Sequence, residues 1–198
     1  MSDKSILFSG PMIRALIAGT KTQTRRLSTP VAAVHAQRYK KGDRLYVREH
    51  WRTGGQHDHL APRDLPQEWA EPIGYIADEA PNTISRTGRF RQGMHMPRWA
   101  SRLTLTVTDV RVERLQDISE ADALEEGVSF EASLPADAHR HYVAIGDGEV
   151  ISGWDAGDCY GGLWEHINGG GSWAANPWVA AYTFTVERGN IDRLARAA

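Results

Sequence analysis

Lys21 and Thr24 stand three residues apart, and two further cations, Arg25 and Arg26, follow directly. A threonine hydroxyl is inert alone, but a neutral amine within reach can take its proton and make it a nucleophile. A lysine acts as that base only when burial or a neighbouring cation brings its pKa down from about 10.4. Arg25 and Arg26 are cations of that kind. The spacing sets a condition. On a regular strand, residues three apart face opposite sides, so the pair converges only if Lys21 lies in the turn ahead of the strand. The plain alternative is a solvated lysine beside a surface threonine.

Arg48 and Glu49 form the next candidate pair. Alternation places Glu49 on the face of Leu45 and Val47, where a carboxylate needs a partner. It either accepts from the exocyclic amine of a base or closes an ion pair at a barrel end. Arg98-Trp99 and Ser101-Arg102 offer a stacking surface and phosphate contacts. Of the seven tryptophans, Trp51 and Trp99 are candidates to line a cleft. Trp69, Trp154, Trp164, Trp173 and Trp178 read as core or loop anchors. The binding candidates are thus Arg25, Arg26, Arg48, Glu49, Trp51, Arg98 and Trp99.

Other chemistry-bearing residues read more simply. His57 and His59 have a spacing that suits a metal, yet no clustered cysteine or third ligand accompanies them, and His139 and His141 read the same way. Cys159 has no base beside it in sequence and is expected to be structural. Gly169-Gly170-Gly171 lacks the lysine and hydroxyl residue of a phosphate loop. The basic run at 86–91 reads as an exposed loop. No metal and no cofactor is expected.

The elements that must position these residues follow from periodicity and punctuation. Residues 6–8 read as a short strand. Pro11 opens a helix whose apolar face is Met12, Ile13, Leu16 and Ile17, and Gly19 stops it. A strand is expected at 21–27, leaving a turn, and another at 44–51. Residues 52–72 and 79–97 are loop-like, with a strand candidate at 73–77 between them. The clearest strand spans 101–115, with a change of phase at Thr108-Asp109 that a bulge or bend explains. Ser119 and Asp122 mark a helix N-terminus that ends at Gly127. Residues 129–158 show little periodicity and are expected to be partly helical. A short helix at 161–167 and a last strand at 178–186 complete the chain, and the tail after Gly189 is expected to be peripheral.

In this order the run Gly19-Thr20-Lys21-Thr22-Gln23-Thr24-Arg25-Arg26 resembles the Gly-x-Lys-x-x-Thr-x-Arg segment of ASCH domains, a PUA-like group. The resemblance continues in Gly42-Asp43-Arg44-Leu45-Tyr46-Val47, in 103–115, in Ile118-Ser119-Glu120 through Glu126-Gly127, and in the final strand. It covers about half the chain. The stretches Met96 to Ser101 and Asn176-Pro177-Trp178 are similar to ASCH proteins common in bacteriophages and prophages. The resemblance implies an α+β fold: a small PUA-like β-barrel with flanking short helices, as one domain over 1–198. Insertions would lie near 52–97 and 129–158, with a peripheral tail at 189–198. Some small bacterial members hydrolyse N(4)-acetylcytidine with a lysine, a threonine three residues later and a glutamate in the helix after the long strand. Those positions match Lys21, Thr24 and Glu126, which the resemblance makes base, nucleophile, and orienter and acid. Other members bind RNA, and some are described as ribonucleases, so a non-catalytic module for RNA or a modified nucleotide is the alternative.

The totals limit the remaining classes. The formal net charge of −2 leaves no global basic field for long duplex nucleic acid. A single cysteine permits no intrachain disulfide, which suits a reducing cytoplasm. The first residues are too interrupted for a signal peptide. No apolar run approaches the roughly 20 residues of a membrane span. The expected partner is a small nucleoside or nucleobase, or single-stranded RNA on the alternative reading.

Overall fold

The structure is a computed structural model that describes residues 3–28, 38–66, 73–79, 88–130, 142–146 and 149–194. Its elements are β1 (Asp3–Leu7), α1 (Gly10–Ala18), β2 (Gln23–Leu27), β3 (Arg44–Arg48), β4 (Trp51–Arg52), β5 (Gly74–Tyr75), β6 (Leu103–Arg114), α2 (Glu120–Glu125), β7 (Ser129–Phe130), β8 (Tyr142–Gly146), β9 (Glu149–Gly153), α3 (Ala156–Asn168) and β10 (Trp178–Arg188). The fold is α+β. A five-stranded sheet runs β1-β3-β6-β10-β2, beside a β4-β5 pair and a β7-β8-β9 sheet. β1 pairs parallel with β3, whereas β3 with β6 and β10 with β2 are antiparallel. Among the described residues the sheet does not close into the expected barrel, because β1 and β2 stand at the two ends of its strand order.

The chain divides into two compact units. Unit one holds Met1–Arg14, Asp43–Thr106 and Val186–Ala198. Its interior is built by alternation: Ile6, Leu45, Val47, Leu103 and Leu105 turn inward from β1, β3 and β6. A second apolar cluster joins Trp51, Leu65, Met96 and Ala100. Leu65 and Met96 of the expected insertion at 52–97 thus pack against Trp51 and Ala100 on either side of it, and short turns and the β4-β5 pair carry its described residues. The described part of the tail, 189–194, is not peripheral. Ile191 is 2% exposed, and the Asn190 amide donates to the carbonyls of Arg98, Trp99 and Ser101. A buried apolar side chain and three satisfied carbonyls hold that segment in place.

Unit two holds Ala15–Gly42 and Val107–Thr185. The change of phase in β6 is present: Val107 and Val110 are buried, with exposed Thr108 and Asp109 between them. α2 begins where expected, its Ser119 cap accepting from the Asp122 N–H. Among the described residues of 129–158, the chain forms β7, β8 and β9, which were not expected, and helix from Ala156. Asp147-Gly148, between β8 and β9, is a strong hairpin signal that helical periodicity cannot register. α3 starts earlier than expected because Asp155 caps it, accepting from the Asp158 N–H at 2.7 Å. It packs Ala156, Cys159, Tyr160, Leu163 and Trp164 into the unit's core with Leu115, Ala123 and Val179.

Candidate active site

Two chain turns in unit two bring Lys21 and Glu126 together. α1 ends at Ala18, and Gly19, at φ 77°, lets the chain reverse. The N–H groups of Thr20 and Lys21 then both donate to the Ala15 carbonyl. The Thr22 N–H donates to the Glu125 carbonyl at 2.8 Å, setting the approach to β2 against the end of α2. Glu126 is the residue that ends α2, and Gly127, at φ 104°, carries the chain away in a conformation that favours glycine.

Lys21 thus lies just ahead of β2 and is 1% exposed. Its Nζ donates to Glu126 Oε2 at 2.7 Å and to the Glu126 carbonyl at 2.8 Å. Burial pushes the lysine pKa below its ordinary value. The Glu126 carboxylate opposes that shift, and the Arg26 and Arg25 charges add to it. A buried amine that shares its proton with one carboxylate can both accept and return a proton.

The sequence-expected ligand Arg25 is also buried here. Its NH1 lies 3.3 Å from Glu126 Oε1, and its NH2 lies 2.7 Å from Glu113 Oε1 and 3.3 Å from Asp122 Oδ2. NH1 also donates to Gln23 Oε1. Gln23 Nε2 donates to Asp122 Oδ1 at 2.9 Å, and Arg111 NH2 reaches the same oxygen at 2.7 Å. Burial would raise the Asp122 pKa. The hydrogen bonds from Arg111, Gln23 and Ser119 outweigh it and hold the carboxyl well below the usual range. The Tyr160 ring lies under Arg25, 5.9 Å from the guanidinium carbon. Burial, then the Glu126 charge, keeps the Tyr160 hydroxyl protonated far above the usual phenol pKa. Arg26 is exposed.

Thr24 is buried, but on the other face of β2. Alternation sends it away from Gln23 and Arg25, to the side of its antiparallel partner Tyr182. The structure brings Lys21, Glu126 and Arg25 together and places Thr24 outside their ion pairs.

The remaining expected ligands lie in unit one. Glu49 sits just beyond β3 and is 1% exposed, and its partner is Arg102 instead of Arg48. Arg102 Nε and NH2 donate to its two oxygens at 2.8 and 2.9 Å. Arg102 also binds Asp78 and stacks on Tyr75, 3.9 Å from the ring centroid. Arg48 donates to the Met94 carbonyl and the Tyr46 hydroxyl. Trp51, expected to line a cleft, is 0% exposed and packs edge-on against half-buried Trp99. Arg98, expected at phosphate, is held by Asp3 at 2.7 Å and by both Asp192 oxygens.

The sequence reading missed Gln23, Glu113, Arg111, Tyr160 and the inward role of Asp122. Asp122 registered only as a marker of a helix N-terminus, and Glu113 and Arg111 only as positions within the strand expected at 101–115. Cys159 is buried, and burial pushes its thiol up to about 11, so it is no thiolate nucleophile. Among the described residues, no group of three or more His, Cys, Asp or Glu is arranged to hold a metal ion, and no helix is long and apolar enough to cross a membrane. Comparison with known proteins finds no matching family model, no matching curated protein and no matching solved structure.

Proposed function

We propose that this chain is a cytoplasmic amidohydrolase of the ASCH type, on a PUA-like scaffold, that removes the acyl group from an N(4)-acetylcytidine-like nucleoside or base. One observation carries the reading. The Lys21 amine is excluded from water and held 2.7 Å from the Glu126 carboxylate. That environment lowers its hold on a proton, as a lysine base requires. In the reaction, neutral Lys21 takes a proton from an oxygen nucleophile as that oxygen adds to the acyl carbon. Glu126 keeps the amine oriented. The proton then passes to N(4) as the C–N bond breaks, which releases the free base. The resemblance assigns the nucleophile to Thr24, whose acyl ester water then hydrolyses to the carboxylic acid and the restored hydroxyl. The position of Thr24 on the Tyr182 face makes this the step to test against direct attack by water.

The test is hydrolysis of N(4)-acetylcytidine and a small set of other acylated bases by the purified protein, followed by ultraviolet absorbance. Turnover is expected, rising with pH on its acidic side as Lys21 loses its proton. Lys21→Met is expected to lower kcat/KM by about 10²–10⁴-fold. Loss of activity in Thr24→Ala identifies an acyl-threonine route, and retained activity identifies water as the nucleophile. No turnover by the wild type on any of these substrates sinks the reading. The non-catalytic RNA-binding alternative, and the ribonuclease, draw less support. Of the cations it would use, Arg25 is engaged by Glu113, Asp122 and Glu126, and Arg98 by Asp3 and Asp192.

A further inference from the structure

The sequence offers Arg25 as a substrate ligand, but its guanidinium has no freedom to act as one. Its side chain is 0% exposed. Its terminal nitrogens are committed to Glu113, Asp122, Glu126 and Gln23, while its Nε–H is buried without a hydrogen bond. An orphaned buried donor is costly, so the terminal contacts dictate where the group sits. Those contacts divide the Glu126 carboxylate. Oε2 belongs to Lys21 at 2.7 Å and Oε1 to Arg25 at 3.3 Å.

We propose that Arg25 is a positioning residue: it fixes the Glu126 carboxylate, competes with Lys21 for its charge, and makes no contact with substrate. The consequence for catalysis rests on the amidohydrolase reading, whereas the effect on the Lys21 proton does not. The charged and titratable groups facing this pair are Glu126 at the end of α2, Arg25 and Arg26 from β2, and Tyr160 from α3. Glu113 and Asp122 set where Arg25 places its charge. With Arg25 present, the Lys21 ammonium has only part of a carboxylate as counter-ion and a cation close by. Both effects favour the neutral amine. Removing Arg25 leaves Lys21 the whole carboxylate and a tighter hold on its proton. Neutralising Glu113 does the reverse, because more of the Arg25 charge then falls on Glu126.

The experiment follows the side-chain Cε–Hε signal of Lys21 by NMR in the full chain from about pH 6 to about 11, the range that spans a lowered and an ordinary lysine. Lys4, Lys40 and Lys41 are the other lysines in the chain, and Lys21→Met assigns the signal. In Arg25→Gln the Lys21 midpoint is expected at higher pH than in the wild type, with Arg25→Lys restoring it in part. In Glu113→Gln it is expected at lower pH, and this variant carries the test if Arg25→Gln does not fold. The acidic limb of the hydrolysis profile moves with the midpoint in each active variant. A midpoint that stays in place in the folded variants overturns the proposal. If Lys21 shifts as described but the wild type hydrolyses no acyl substrate, the amidohydrolase reading fails and the role of Arg25 stands.

Discussion

Glu126 serves two cations, so the two ends of its pair with Lys21 are not equivalent. Glu126→Ala strands a buried ammonium, and breaking a buried pair in this way costs about 3–5 kcal/mol. Lys21→Met leaves Glu126 with Arg25 and fills the amine's place with an apolar chain of similar length. Urea denaturation should therefore show a clear loss for Glu126→Ala and a smaller one for Lys21→Met. Equal losses would mean that Arg25 does not support the carboxylate. Legibility was uneven at this scale. Lys21 and Thr24 could be singled out from residue type and spacing, whereas Glu126 came only from the resemblance to ASCH domains. The face to which Thr24 turns follows from where β2 starts, and the sequence left that start open between Lys21 and Gln23.

α2 is the element on which the pair depends. It has only six residues, too few to be stable by propensity alone, so its caps and its packing hold it. Ser119 closes one end by accepting from the Asp122 N–H, and Gly127 closes the other. Ser119→Ala should lower stability by about 1 kcal/mol in thermal or urea unfolding. It should also disturb the site, because the same hydroxyl helps hold Asp122 as a carboxylate beside Arg25. An unfolding curve identical to that of the wild type would show that the cap is dispensable. Both end signals were readable, since N-cap residues and C-terminal glycines act within a few residues of themselves. β7, β8 and β9 were not foreseen, because their short strands carry no alternation long enough to separate from noise.

Each unit of the molecule is assembled from chain segments far apart in sequence, unit one from three of them. The last of these carries Ile191 into that unit's core, where the Ile191 carbonyl also accepts from Arg44. Ile191→Ala should cost about 2–5 kcal/mol of unfolding free energy, the ordinary price of emptying a buried aliphatic site. A loss under ~0.5 kcal/mol, as at exposed positions, would restore the tail to the periphery. The net charge of −2 also takes a more specific meaning at this scale. Arg25, Arg52, Arg98 and Arg102 are bound to carboxylates of the same chain, so cations that look available in sequence are used internally.

By itself the sequence determined the features that arise from local rules. These are the apolar faces of α1, β3, β6 and β10, the phase change at Thr108-Asp109, and the turns at Gly19 and Gly127. Side-chain period and glycine conformation act over a few residues, so a linear reading captures them. Only the tertiary structure decided which buried charges meet. Lys21 finds Glu126 across 105 residues, Arg25 reaches Glu113 across 88, and Glu49 takes Arg102 instead of its neighbour Arg48. A buried charge must be paired, but its partner is whichever opposite charge packing brings within a few ångströms, and residue order does not encode that distance.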